Sequence, residues 1–106
     1  MKIRELTHFL ECIAPAQLQE DYDNSGLIVG DQDTEITGVL ICLDSTEAII
    51  DEAKANNCNL VIAHHPILFK GIKKLNKTSY VGRTIIKAIQ NNINIYAIHT
   101  NLDNIL

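Results

Sequence analysis

The chain has 106 residues, of which 46% are hydrophobic and 21% are charged, and its formal net charge is −4. This length allows one small domain with a single hydrophobic core, and the composition is that of an ordinary soluble globular protein. The acidic balance argues against a nucleic-acid partner, because nucleic-acid binders normally present a basic face.

The cysteines and the hydropathy pattern predict the cellular compartment. Cys12, Cys42 and Cys58 are odd in number and follow no Cys-x-x-Cys spacing. Cys12 and Cys42 fall within apolar patterns, where a thiol packs as a small hydrophobe. The sequence shows no signal-peptide pattern and no apolar run long enough to span a membrane. We therefore expect a cytoplasmic protein that makes no membrane contact.

The first 43 residues predict one helix and two strands. Residues 2–13 form an amphipathic helix that Pro15 stops, with an apolar stripe of Ile3, Leu6, Phe9, Leu10 and Ile13. Turn-forming residues then precede a short strand at 27–29. Residues 31–33 predict a reversal into a second strand at 36–43, whose continuous apolar end at 39–43 is typical of a strand covered on both faces. Asp21 and Asp23 are explained by solubility alone; alternatively, Asp23 and Asn24 project into a site and hold a ligand histidine or a substrate.

A strand–helix–strand unit follows. Residues 44–46 can cap a helix, and its buried face comprises Ala48, Ile49, Ile50, Ala53 and Ala55. Asn56 and Asn57 end this helix. The apolar run 60–63 then predicts a buried strand that carries His64 and His65 and stops at or before Pro66, which cannot donate to a sheet. Such a unit makes its two strands parallel, with a right-handed crossover.

The remaining chain repeats the helix-then-strand pattern. Residues 70–79 are a polar connection whose four lysines indicate a solvated loop, or alternatively a rim that attracts phosphate. Residues 80–91 predict a helix ended by Asn91 and Asn92, and residues 93–98 predict a third strand, followed by His99. The fold class is therefore α/β: a three-layer, mostly parallel sheet of strand–helix–strand units, with a metal site at the carboxyl ends of its strands.

Two neighbouring strand ends carry the candidate site residues. His64 and His65 follow one strand, and His99 follows the next, four residues before Asp103. Imidazole and carboxylate are ligands for zinc, manganese, iron or nickel. Adjacent side chains on a strand point to opposite faces, but at a strand end they can diverge toward two ions. Two ions roughly 3.5–4 Å apart need a bridging carboxylate, and Asp103 is the natural candidate.

His99 has three candidate roles: a metal ligand, a residue that orients a ligand, or a proton carrier. Nucleophilic catalysis fits less well, because the sequence contains no Gly-x-Ser-x-Gly elbow and no Gly-rich phosphate loop. His64, His65, His99 and Asp103 supply at most four ligands, whereas two ions normally need about five or six. We therefore expect residues 1–106 to be a single α/β domain that forms the amino-terminal portion of a longer protein.

Three motifs carry a family resemblance. They are Asp-Tyr-Asp-Asn-Ser-Gly-Leu-Ile-Val-Gly at 21–30, Ala-His-His-Pro at 63–66 and Ile-His-Thr-Asn-Leu-Asp at 98–103. In this order and at similar spacing, they resemble the amino-terminal part of the dinuclear-metal-centre family, the type 2 homologues of GTP cyclohydrolase I. The resemblance spans essentially the whole chain.

The resemblance implies that His64 and His65 each hold one of two divalent cations and that Asp103 is a further ligand. It also implies a homo-oligomer, a toroidal hexamer in full-length members, whose sites are completed by a carboxy-terminal histidine and glutamate that this sequence does not contain. The implied function is a GTP cyclohydrolase type 2-like hydrolase that acts on a small-molecule or nucleotide substrate with metal-activated water. The alternative is a non-enzymatic, metal-binding regulatory or interaction module.

Overall fold

The computed structural model describes residues 1–13, 26–65, 67 and 74–98. The described part contains three helices and four strands. In chain order they are α1 (Ile3–Ile13), β1 (Gly26–Val29), β2 (Val39–Asp44), α2 (Glu47–Ala55), β3 (Leu60–His65), α3 (Tyr80–Gln90) and β4 (Asn94–Ala97). No helix among these residues has the length and apolar character needed to cross a membrane.

The four strands form one sheet in the order β1-β4-β3-β2. β2 is parallel to β3, and β3 is parallel to β4, so α2 and α3 are the crossover helices of two strand–helix–strand units. The predicted α/β fold with a mostly parallel sheet is confirmed. β3 ends at His65. The next residue, Pro66, has no backbone N–H to donate to a sheet, as the sequence predicted.

The start of β2 differs from the prediction, and β1 pairs with a strand that the sequence did not indicate. The chain does turn at Asp31, whose carbonyl accepts from Thr34 N at 3.1 Å. However, β1 is antiparallel to β4 at the far edge, and β2 begins at residue 39 instead of 36. Residues 34–36 pair instead with the start of the chain, where Ile3 N donates to Thr34 O at 2.9 Å and Ile36 N donates to Met1 O at 2.8 Å. Hydrogen bonds to a distant segment therefore replace the expected start of β2.

Helices cover both faces of the sheet, which gives three layers. On one face, α2 and α3 bury a cluster of Val29, Ile50, Ala53, Val61, Ile85, Ala88, Ile93 and Ile95. On the other face, α1 helps to bury a cluster of Ile3, Leu60, Tyr96 and Ile98. α1 places Leu6 and Leu10 against this second cluster, whereas Phe9 and Ile13 of the predicted stripe are exposed. Cys12 is also exposed, so its predicted packing is wrong.

The expectation that β2 is covered on both faces is also wrong. Val39, Ile41 and Leu43 are 38%, 76% and 66% exposed. Val39 pairs with Leu60, and Ile41 pairs with Ile62, which places these β2 side chains on the α1 side of the sheet. Because α1 packs over β3 and β4 and β2 is an edge strand, nothing in the described residues covers this row. We refer to Val39, Ile41 and Leu43 as the uncovered β2 face.

Both crossover helices have the same kind of N-cap and the same kind of C-terminal turn. Thr46 caps α2 by accepting from Ile49 N, and Ser79 caps α3 by accepting from Gly82 N. Each helix then ends in an Asn-Asn pair whose second member has a positive φ, 57° at Asn57 and 54° at Asn92. The predicted stops at both Asn-Asn pairs are confirmed, and each turn leads directly into the next strand.

Candidate metal centre

His64 and His65 are the last two residues of β3, between the carboxyl ends of β2 and β4. Cys42 and Asp44 of β2 are in register with Ala63 and His65, and Ala97 of β4 is in register with Ala63. Parallel pairing therefore brings three strand ends to one edge of the sheet, the place where open α/β folds bind ligands.

The two imidazoles belong to opposite faces of the sheet. Side chains alternate along a strand, so His64 continues the row of Leu60 and Ile62, and His65 continues the row of Val61. At the strand end, however, the rings remain close, with centroids 5.0 Å apart and planes tilted by 48°. That each ring binds one of two neighbouring ions stays a prediction.

His65 is held by an aspartate on the adjacent strand. Its Nδ1 lies 2.7 Å from Oδ1 of Asp44, the residue in register with it at the end of β2. An ionised carboxylate only accepts hydrogen bonds, so Nδ1 of His65 carries the proton and donates it. In the neutral ring, the lone pair is then on Nε2.

His64 is held by the backbone. Its Nδ1 lies 3.0 Å from the carbonyl oxygen of Ile98, the residue that follows β4. A carbonyl also only accepts, so this ring likewise carries its proton on Nδ1 and its lone pair on Nε2. Histidines that ligate metals almost always donate their other ring N–H to a carboxylate or a backbone carbonyl. Both described imidazoles therefore have the bonding that fits a metal ligand.

A cleft of about 230 Å³ opens on the His65 side of the sheet, between the first turns of α2 and α3. Its lining combines polar and apolar groups: Asp44, Ser45, Thr46, His65, Ile67, Tyr80 and Val81. Partial burial raises the pKa of the Tyr80 phenol, and the negative charges of Asp44 and Glu47 raise it further. The phenol therefore remains a neutral hydrogen-bond donor at neutral pH, in the cleft that His65 also lines.

A larger cleft of about 380 Å³ lies elsewhere, between the end of β1 and the start of β4. Among the described residues that line it, Asp31 alone is ionisable, and the others are Val29, Gly30, Thr34, Ile89, Asn92, Ile93 and Asn94. One carboxylate without a cationic or nucleophilic neighbour in that lining gives little support for catalysis or metal binding there. We therefore assign the candidate site to the smaller cleft and the two histidines.

His99 and Asp103 lie outside the described residues, as do Asp23 and Asn24, so their predicted roles stay predictions. Within residues 1–13, 26–65, 67 and 74–98, no group of three or more His, Cys, Asp or Glu side chains could hold a metal ion. The described part of the site therefore contributes two imidazole donors, and further ligands must come from elsewhere.

Asp44 is a site residue that the sequence motifs did not single out, because its position before α2 predicts only a helix-capping role. The structure reveals its role through strand register: β2 and β3 each have six residues and are parallel, so the polar residues that end them fall side by side. The Ile98 carbonyl, which accepts from His64, is a backbone group, so no residue type in the sequence could have indicated it.

Comparisons with known proteins agree on one family. The family model described as Duf34/NIF3 (NGG1p interacting factor 3) matches residues 1–105. A GTP cyclohydrolase 1 type 2 homolog of Clostridium acetobutylicum is 47% identical over 105 residues, which are 99% of this chain and 39% of that protein. The chain therefore spans well under half the length of this relative.

Solved structures give the same result. The crystal structure of Staphylococcus aureus protein SA1388 superposes with a TM-score of 0.93 at 46% identity, over 97% of this chain and 29% of that one. HcgD from Methanocaldococcus jannaschii, solved in its reduced form, superposes with a TM-score of 0.88 at 36% identity, over 97% of this chain and 41% of that one. The resemblance carried by the three sequence motifs is confirmed.

Proposed function

Because this chain belongs to the Duf34/NIF3 family, whose curated relatives are named GTP cyclohydrolase 1 type 2 homologs, we propose that it is the metal-binding part of a metal-dependent hydrolase. The observation that carries the proposal is the paired bonding of the two adjacent histidines. Each ring donates its Nδ1–H to a fixed acceptor, Asp44 for His65 and the Ile98 carbonyl for His64. Two Nε2 lone pairs are thereby held at one edge of the sheet.

In this proposal His64 and His65 each bind one of two divalent cations, and Asp103 is the further ligand. The donor set suits zinc, iron, manganese or nickel. When bound, such a pair of ions supplies the Lewis acidity that activates water for hydrolysis. His99, which follows Ile98 in the sequence, is the candidate proton carrier.

The cleft beside His65 is the proposed substrate site. It offers an aromatic ring from Tyr80, an apolar wall from Ile67 and Val81, and polar atoms from Ser45 and Thr46. Pockets that combine apolar walls with a few polar groups are suited to small molecules. A nucleotide, or part of one, is the substrate class that fits both this lining and the name of the curated relatives.

A cytoplasmic homo-oligomer, hexameric as the resemblance implies, is part of the same proposal. The uncovered β2 face, together with Phe9 and Ile13 of α1, presents apolar side chains to solvent. Exposed apolar rows of this kind are typical of surfaces that other protein segments cover.

Nucleotide turnover tests the proposal. The full-length protein is assayed with GTP and other nucleoside triphosphates after reconstitution with zinc, manganese, iron or nickel, and its Asp103→Asn variant is assayed in parallel. A hydrolase loses most of its turnover when Asp103 is changed and when the metal is removed. Equal turnover by both proteins, or none with any of the four metals, would contradict the proposed activity.

The second candidate function is a non-enzymatic, metal-binding regulatory or interaction module. The uncovered β2 face favours it, because three large apolar side chains on an edge strand are available to a protein partner. The family description, NGG1p interacting factor 3, names an interaction for the protein that gave the family its name. Turnover that depends on Asp103 would exclude this second candidate.

A further inference from the structure

The two histidines differ in the kind of acceptor that holds them. His64 donates to a backbone carbonyl, which no substitution of a side chain removes, whereas His65 donates to the carboxylate of Asp44. One of the two described acceptors is therefore part of the backbone, and the other is a side chain that a substitution can remove.

Asp44 is placed for this contact by the sheet. It ends β2 in register with His65, and side chains of register partners in a parallel pair lie on the same face. The capping of α2, the role that the sequence suggested for residues 44–46, is performed by Thr46, whose Oγ1 accepts from Ile49 N at 3.1 Å. The Asp44 carboxylate is therefore not needed for the helix cap and is bound to the imidazole instead.

We propose that Asp44 is a positioning residue that sets the tautomer and the ring plane of His65, so that Nε2 is the nitrogen presented to a divalent cation. This inference rests on the proposed metal site and adds a residue to it. A carboxylate also makes the imidazole lone pair a stronger donor than a neutral carbonyl does. Loss of Asp44 should therefore weaken the ion at His65 and leave the ion at His64 nearly unchanged.

The tautomer can be tested without any metal. Selective ¹⁵N labelling of histidine gives few signals, because the chain contains four histidines. The spectrum of the metal-free protein is recorded at a pH where imidazole is neutral, and His65 is identified by its absence in His65→Gln. We expect the Nδ1–H tautomer at both His64 and His65 in the wild type. In Asp44→Ala the signals of the Nδ1–H tautomer should be lost at His65 alone. His64, the internal control, should keep them.

Zinc titration then measures the consequence. Loss of a residue that orients a metal ligand typically weakens metal affinity about 10–100-fold, so Asp44→Ala should show this loss for one ion only. Asp44→Asn keeps an oxygen acceptor for the Nδ1–H and should restore the tautomer and most of the affinity. Asp51→Ala removes an exposed carboxylate that pairs with Lys87, and it controls for the change in charge.

Each outcome decides the inference. An Nε2–H tautomer at His65 in the wild type, or unchanged zinc affinity in Asp44→Ala, would overturn it. Restoration of the tautomer but not of the affinity in Asp44→Asn would also overturn it, since Asp44 would then act through its charge or as a ligand, and not by positioning the ring. If the wild type binds no zinc but Asp44→Ala still changes the His65 tautomer, the positioning by Asp44 stands and the proposed metal function fails.

Discussion

Gly30 lies directly against the side chain of Asn94, and no other residue type fits at that position. A Cβ at Gly30 would come within 1.8 Å of Asn94 Oδ1, and the φ of Gly30 is +119°. Asn94 is buried, accepts from Asp31 N and donates to the carbonyl of Asn59, both at 2.9 Å. One amide side chain thus links the end of β1 to the segments that enter β3 and β4.

Gly30→Ala should therefore be strongly destabilising. Backbone strain at this φ costs about 1–3 kcal/mol, and the clash with Asn94 adds about 1–3 kcal/mol. Gly26→Ala is the matched control, because Gly26 has a φ of +112° but no atom of the described residues lies within 4 Å of the position that an added methyl group would occupy. Urea unfolding of both variants separates the two effects. Equal losses of unfolding free energy would show that the contact with Asn94 contributes nothing.

Burial separates two isoleucines of the crossover helices. Ile50 of α2 is fully buried in the cluster beneath α2 and α3, whereas Ile89 of α3 is 55% exposed. Ile50→Ala should lower the unfolding free energy by about 2–5 kcal/mol, and Ile89→Ala should change it by only about 0.5 kcal/mol. Both substitutions remove the same atoms from a helix, so their comparison isolates burial. Similar losses would contradict the assigned core.

Because of the Cys42 thiol, the free energy of unfolding should depend on pH in the alkaline range. Burial raises its pKa, the charge of Asp44 raises it further, and the Ser45 hydroxyl opposes the rise. Because the pKa in the folded state is above that of the unfolded chain, the folded state favours the neutral thiol. This contribution is fully present below the unfolded pKa, about 8.5–9, and is lost as the pH rises through the folded value.

Unfolding free energies of the wild type and Cys42→Ala, measured from about pH 7 to 11, test this dependence. The wild type should lose more stability than the variant above about pH 9. Cys12→Ala is the control, because Cys12 is exposed. A constant difference between wild type and Cys42→Ala across the range would contradict the assigned environment of the thiol.

The sequence predicted the parts of the fold that depend on local signals. Hydrophobic runs placed β3 and β4, Pro66 set the end of β3, and Thr46 with the two Asn-Asn pairs marked the helix ends. These signals act within a few residues, so they can be recognised in a single sequence.

The features that were missed depend on contacts between distant segments. β1 pairs with β4, and residues 34–36 are hydrogen-bonded to the amino-terminal residues; no local pattern shows either pairing. The exposure of Ile41 follows from the edge position of β2 and the placement of α1, which an apolar run does not reveal. In the candidate site, the histidines were evident from their chemistry, but Asp44 became a partner of His65 only through strand register.

The central claim is that His64 and His65 bind divalent metal, and the metal content of the purified full-length protein tests it most directly. Metal is measured by elemental analysis for the wild type, for His64→Ala and His65→Ala, and for His8→Ala as a control, since His8 is an exposed residue of α1. We predict about two ions per chain in the wild type and in His8→Ala, and a loss of about one or both ions in each of the other variants. A wild type without metal, or unchanged content in His64→Ala and His65→Ala, would contradict the account.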